Sequence, residues 1–196
     1  MTINLVVQGS SMDAEGGGLP GIESYNYQWS QAHPTAGYQN EATGGDAYAA
    51  FVAEEATCIG HRIAGQINIY SLRWGANDST SDTAPSLAAL PLHVARMKAA
   101  GFSILLVTLN PKADNAFNTW RATLRTLQLS MLSQGLVDGI ADFGADQTYC
   151  KNADGFDTAM YSDGLHPNNT IHTYLQANYY APAIAAITKP RYVVSW

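Results

Sequence analysis

Charge is scarce in this 196-residue chain. Only 13% of its residues are Asp, Glu, Lys or Arg, and the balance leaves a net charge of −6. That excludes the clustered Lys and Arg which a nucleic-acid backbone recruits. Cysteine is scarcer still: Cys58 and Cys150 stand alone, without metal-binding spacing and too sparse for a disulfide framework. No apolar run approaches the roughly 20 residues of a membrane span. Met1 leads almost directly into a strand-like segment, without the basic and apolar regions of an export signal. The expectation is a cytoplasmic protein that binds neither nucleic acid nor membrane. Repeats, low-complexity tracts and linkers are missing too, so residues 1–196 read as a single domain, large enough to bury a core without staples.

What is present is an alternation of apolar runs and helical patterns. Ile3-Asn4-Leu5-Val6-Val7 has the pattern of a buried strand. Further strands are expected over 36–40, 66–74, 102–109 and 136–143. Helical periodicity covers 46–63, a segment ending near Ala100, and Asp114 to Ser133, where Phe117, Leu124, Leu127 and Leu132 fall on or near one face. Strands alternating with helices imply βαβ units and a parallel sheet covered on both faces. Residues 12–35 hold Gly16, Gly17, Gly18, Pro20, Gly21 and Pro34 and are expected to form a long, functional loop. Tyr25, Tyr27 and Trp29 alternate within it, as pocket wall or as core.

Near the end, Ser162-Asp163-Gly164-Leu165-His166-Pro167-Asn168-Asn169 places a carboxylate three residues before an imidazole. Gly164 lets the backbone turn sharply. Pro167 pushes His166 out of the α region, so His166 belongs on a loop. Ile171, Tyr174, Leu175 and Tyr179 then recur at helical spacing, bracing that loop with a helix. Ligands bind at the carboxyl ends of strands in such folds. Three polar clusters fall there: Ser10-Ser11, Gly44-Gly45 and Asn77-Asp78. A serine hydroxyl is a weak nucleophile until a base takes its proton. That base needs a carboxylate to hold its tautomer, and the tetrahedral intermediate needs N–H donors for its oxyanion.

In order, Gly9-Ser10-Ser11, Gly45, Gly75-Ala76-Asn77-Asp78 and Asp163-Gly164-Leu165-His166-Pro167-Asn168 resemble the signature blocks of the SGNH (GDSL-type) hydrolases. These are lipases, esterases and carbohydrate deacetylases. The resemblance implies a flavodoxin-like, three-layer α/β/α fold with a central, mostly parallel five-stranded sheet. It implies Ser11 as nucleophile, His166 as base and Asp163 as its orienting partner. The oxyanion hole would comprise the Ser11 and Gly45 N–H groups and the Asn77 side chain. It implies no metal and no cofactor.

Two departures from the family pattern leave alternatives open. Ser10 stands where the family usually has Asp, which makes it a rival nucleophile, and Gly44 competes with Gly45. Asp78 is assigned to loop geometry, and His33, His61, His93 and His172 to structural or surface positions. Asp78 and Asp82 match no calcium-loop spacing. The 191–196 tail either packs back on the domain or meets another chain. An α/β-hydrolase is disfavoured, since no G-x-S-x-G elbow occurs. The expected activity is hydrolysis of short-chain acyl esters on a small molecule or carbohydrate, through Tyr25, Asn26, Tyr27, Gln28, Trp29, Gln31, Tyr38, Gln39 and Asn40. The alternative is a catalytically silent carbohydrate-binding module on the same fold.

Overall fold

The computed structural model describes residues 2–78 and 82–189; the 191–196 tail lies outside them. Five strands form one sheet: β1 (Ile3–Gln8), β2 (Gly37–Asn40), β3 (Ile67–Leu72), β4 (Ser103–Val107) and β5 (Gly139–Ala141). They are hydrogen-bonded in the order β2-β1-β3-β4-β5, and every pair is parallel. Parallel neighbours need crossover connections. α1 (Tyr25–Ala32) links β1 to β2; α2 (Tyr48–Ala53) and α3 (Glu55–Gly60) link β2 to β3. α4 (Thr83–Ala99) and α5 (Asn115–Ser133) make the next two crossings, and α6 (Asn169–Leu175) and α7 (Ala181–Thr188) follow β5.

Alternation along β1 shows how the layers arise, because successive strand side chains point to opposite faces. Val6 joins Tyr70, Leu72, Ile104 and Leu106 in a cluster closed by Phe51, Leu90, Met97 and Leu124 from α2, α4 and α5. Leu5 and Val7 join Ile69, Leu105 and Val107 on the other face, covered by Tyr25, Trp29, Ile171, Leu175 and Ile184 from α1, α6 and α7. Both faces are therefore covered, which is why the apolar residues of the central strands point to both sides rather than to one. Each Leu, Ile or Val buried this way contributes about 1.5–3 kcal/mol. The result is the three-layer α/β/α arrangement.

Three elements differ from the sequence expectation. Segment 12–35 is not loop throughout: Ser24 caps α1, its side chain accepting from the Tyr27 N–H. Tyr25 and Trp29 share one buried face of that helix, at an i,i+4 spacing that Tyr27 between them disguised as alternation. The 46–63 pattern is two helices, broken at Glu54 where ψ returns to 0°. The last helix passes through a π turn at Gln176–Tyr180. That turn aims Tyr179 at Asp146 and Tyr180 at Ser71, each hydroxyl 2.9 Å from its partner.

Strand order locates the crevice. From β1 the chain crosses to the sheet edge at β2, then returns to pair β3 on the other side of β1. Connections leave β1 and β3 in opposite directions, and the opening between them at the carboxyl ends is where such sheets take ligands.

Candidate active site

Ser11 stands in the turn that follows β1. Its Oγ lies 2.7 Å from His166 Nε2, and His166 Nδ1 lies 2.6 Å from Asp163 Oδ2. Residues 155 positions apart in sequence are thus joined in one hydroxyl–imidazole–carboxylate chain. Burial alone would raise the Asp163 carboxyl, but hydrogen bonds from the His166 ring and from the His166 and Leu165 N–H groups hold it below its ordinary value. Asp163 therefore stays ionised, the state that holds an imidazole and stabilises its protonated form. Ser10, by contrast, is buried and its Oγ has no hydrogen-bond partner among the described residues. The geometry joins Ser11 to the base and leaves Ser10 outside.

Local sequence explains why His166 is held so firmly. Gly164, at φ +72°, allows the turn that brings Asp163 back onto the ring. Asn168 caps α6 by accepting from the Ile171 N–H, and its amide donates to the Ala159 carbonyl at 2.8 Å. On the opposite side the 14–22 segment lies against the imidazole. Gly18, at φ +85°, sits so close that a Cβ there would overlap His166 Cδ2 and Nε2. His166 is only 8% exposed as a consequence.

Two further loops carry the Gly44-Gly45 turn and Asn77, where the sequence expects oxyanion donors. An ideal Cβ at Gly44 would lie 3.7 Å from Ser11 Cβ, which places the Gly44-Gly45 turn beside the hydroxyl. Gly45 adopts φ +92°. Neither the Ser11 nor the Gly45 N–H donates to another described residue. After β3, Gly75 turns at φ +79°, and its carbonyl accepts from Trp120 Nε1 at 3.0 Å. Asn77 follows; its Nδ2 donates to the Asp46 carbonyl at 3.0 Å, tying the two loops together and leaving the second amide hydrogen. Asp78 Oδ1 accepts from the Tyr48 N–H at 2.9 Å, the loop-fixing role expected of it. A cavity of about 430 Å³ opens beside Asn77, lined among others by Asp78, Lys112, Phe117 and Trp120.

Under the Ser10-Ser11 turn lies a buried ion pair that the sequence did not announce. Asp13 Oδ2 accepts from the Ser10 N–H at 3.0 Å and lies 3.7 Å from Arg73 Nη1, with both side chains essentially inaccessible. Tyr25 donates its hydroxyl to the same carboxylate. Burial pushes the Asp13 carboxyl up, opposed by the Arg73 charge. A carboxylate two residues after Ser11 thus secures the backbone just before it. The partners are 60 residues apart, a separation at which no local pattern signals contact.

The remaining histidines take structural positions. His33 Nδ1 lies 2.8 Å from the Trp29 carbonyl, and His61 pairs with Glu41 at 2.7 Å. His93 is fully buried, between Glu55 and the Tyr70 hydroxyl. His172 is buried with neither ring nitrogen bonded to a described residue. Burial, then the charges of Arg73 and His166, drive it down to about 3. Cys58 and Cys150 are free and buried, and burial pushes both thiols up to about 12. Among the described residues no cluster of His, Cys, Asp and Glu could hold a metal ion, and no helix is long and apolar enough to cross a membrane.

Of the aromatics read as pocket wall or as core, Tyr25 and Trp29 belong to the core, each 1% exposed. Asn26 is buried and donates to the Asp13 carbonyl. Asn40 donates to that same carbonyl and to the Tyr38 hydroxyl. Tyr27, Gln28, Gln31, Tyr38 and Gln39 remain at least partly accessible.

The chain has the fold of the SGNH, or GDSL-type, hydrolases. It is similar to a lipolytic protein of the G-D-S-L family from Veillonella parvula, with a TM-score of 0.74 and 13% identity over 94% of this chain and 99% of that one. Phospholipase A1 from Streptomyces albidoflavus superposes with a TM-score of 0.69 and 14% identity, covering 96% of this chain and all of the other. The psychrotrophic esterase EstA from a Pseudoalteromonas species gives 0.65 and 15%, over 93% and 96%. No protein-family model matches the sequence, and no curated protein matches it.

Proposed function

We propose that this chain is a serine esterase that transfers short acyl groups to water. The observation that carries the proposal is the unbroken chain from Ser11 Oγ through His166 to Asp163, with links of 2.7 and 2.6 Å. His166 takes the Ser11 proton as the hydroxyl attacks the ester carbonyl, and Asp163 stabilises the imidazolium that forms. The Ser11 and Gly45 N–H groups and the Asn77 amide receive the oxyanion. His166 then returns its proton to the leaving alcohol, giving an acyl-Ser11 intermediate that water resolves by the same steps reversed. No step requires a metal or cofactor.

The substrate class we propose is an O-acetylated carbohydrate. Lys112, Asp78 and Asn77 share the cleft wall with Phe117 and Trp120, a mixed surface unlike the continuous aliphatic lining that long acyl chains need. Tyr27, Gln28, Gln31 and Gln39 supply accessible hydroxyl, amide and ring surfaces for sugar. This support is narrower than the sequence suggested, since Tyr25, Asn26 and Trp29 are consumed by packing.

The test is a chain-length series of p-nitrophenyl esters run beside an acetylated polysaccharide. Acetate release from both is the expected result. Highest kcat/KM on octanoate would remove the short-acyl claim. Ester turnover without release from any glycan would remove the sugar alone. Absence of all hydrolysis would return the silent carbohydrate-binding module.

A further inference from the structure

Residues 112 and 113 connect the Asn77 loop to the Asp163–His166 turn. Lys112 Nζ donates to the Ala76 carbonyl, one residue before Asn77. The next residue, Ala113, donates its N–H to the Gly164 carbonyl at 2.7 Å, inside the Asp163–His166 turn. The base of this bridge is rigid. Asn118 accepts from the Lys112 N–H at 3.2 Å and donates to the Lys112 carbonyl at 2.9 Å, while Gly155 packs so closely that a Cβ there would collide with the Lys112 backbone. The ammonium also lies 4.1 Å from the centre of the Phe117 ring, an arrangement that favours the charged form.

Resting on the esterase reading, we propose that Lys112 is a positioning residue for the reaction. Its ammonium fixes the Ala76 carbonyl, so that Asn77 stays aimed at the oxyanion, and loss of its proton loosens that hold. A peptide carbonyl turned by an ammonium fixes the plane of the following N–H and hence the next Cα–Cβ direction, which here belongs to Asn77. A neutral amine donates a weaker hydrogen bond than an ammonium, and the positive charge near the developing oxyanion disappears with the proton. Burial lowers the Lys112 amine to about 8, helped by Arg73 and opposed by Asp114 and Asp78. Arg73 and Asp78 act on it from the loop after β3, and Asp114 from the N-cap of α5.

The experiment measures p-nitrophenyl acetate kinetics between pH 6.5 and 9.5 on the wild type, Lys112→Met and Lys112→Arg. Wild-type kcat should fall above about 8. Lys112→Arg, whose charge persists, should retain neutral-pH kcat and lose that alkaline fall. Lys112→Met should lower kcat by roughly ten- to a hundredfold, the scale of a small misplacement of catalytic groups, with KM little changed. A Lys112→Met enzyme with wild-type kcat and the same alkaline fall would overturn the proposal. A second readout needs no turnover: the Asn77 side-chain amide NMR signals should titrate together with Lys112 in the wild type and stay fixed in Lys112→Met. If no ester is hydrolysed but those signals titrate, the esterase reading fails and the Lys112 linkage stands. If they ignore Lys112, the linkage fails whatever the activity.

Discussion

Among the described residues two hydroxyl–histidine–carboxylate chains invite comparison, one partly open to solvent and the other sealed in the core. Ser11, His166 and Asp163 are linked at 2.7 and 2.6 Å; Tyr70, His93 and Glu55 are linked at 2.8 and 2.7 Å. The connectivity is the same. The surroundings are not. Tyr70 and His93 are completely buried, the Tyr70 hydroxyl also bonds Gln8, and Glu55 is shared with Arg96. Burial drives the Tyr70 phenol well above its ordinary value and His93 below its own. Ser11 instead is partly exposed in the turn after β1, and its own N–H donates to no described residue. A proton relay becomes catalytic machinery only where an acyl carbon can approach and oxyanion donors wait.

The sharpest way to break this comparison is to remove the hydroxyl from each chain. Ser11→Ala should lower kcat by on the order of 10⁴–10⁶ and abolish labelling by a fluorophosphonate probe. Tyr70→Phe should leave kcat within severalfold and instead lower stability by about 1–3 kcal/mol, since His93 and Gln8 lose a buried partner. Equal kinetic losses would erase the distinction.

Removing an oxyanion donor, a part the inner chain lacks, comes next. Asn77→Ala should lower kcat by about 10²–10³ with the melting temperature nearly unchanged. A rise in KM at constant kcat would reduce Asn77 to a substrate-binding role.

Exchanging the two imidazoles sharpens the contrast further. Denaturant melts and kinetics on His93→Leu should show a stability loss of about 1–3 kcal/mol with kcat preserved per folded molecule. His166→Leu should show the reverse.

The last contrast concerns acid. His172 and His93 both have folded values below 6.5, so the unfolded chain binds protons there that the folded chain refuses. Stability from this source is complete above 6.5 and is lost as pH falls, by about 1.4 kcal/mol per pH unit for a histidine held fully neutral. His172→Phe should flatten the pH dependence of the urea midpoint between pH 6.5 and 4. An unchanged slope would mean that His172 is protonated in the fold.

Sequence and structure agree where chemistry is local. β1, β3 and β4 were legible because apolar residues recur through their interiors, Asn4, Asn68 and Ser71 apart, with both sheet faces covered. The Asp163–His166 turn and the Gly75–Asp78 block were legible because each carries its geometry within four residues. α1 was not, because the glycines and proline before Ser24 spoke louder than one i,i+4 aromatic pair. The break at Glu54 and the π turn after Leu175 leave no compositional trace. Asp13–Arg73 and Lys112–Ala76 are contacts between distant segments, which a single chain of letters does not pair.

Gly18 carries a last consequence, for inheritance rather than for chemistry. Every amino acid that a glycine codon can reach by one base change has a Cβ, and at position 18 that atom would enter the His166 ring on a backbone turned to φ +85°. A residue that contributes no side chain to the reaction should therefore be as intolerant as the nucleophile. In a saturation library sorted on ester hydrolysis, the survivors at position 18 should be glycine alone, as at position 11 they should be serine alone.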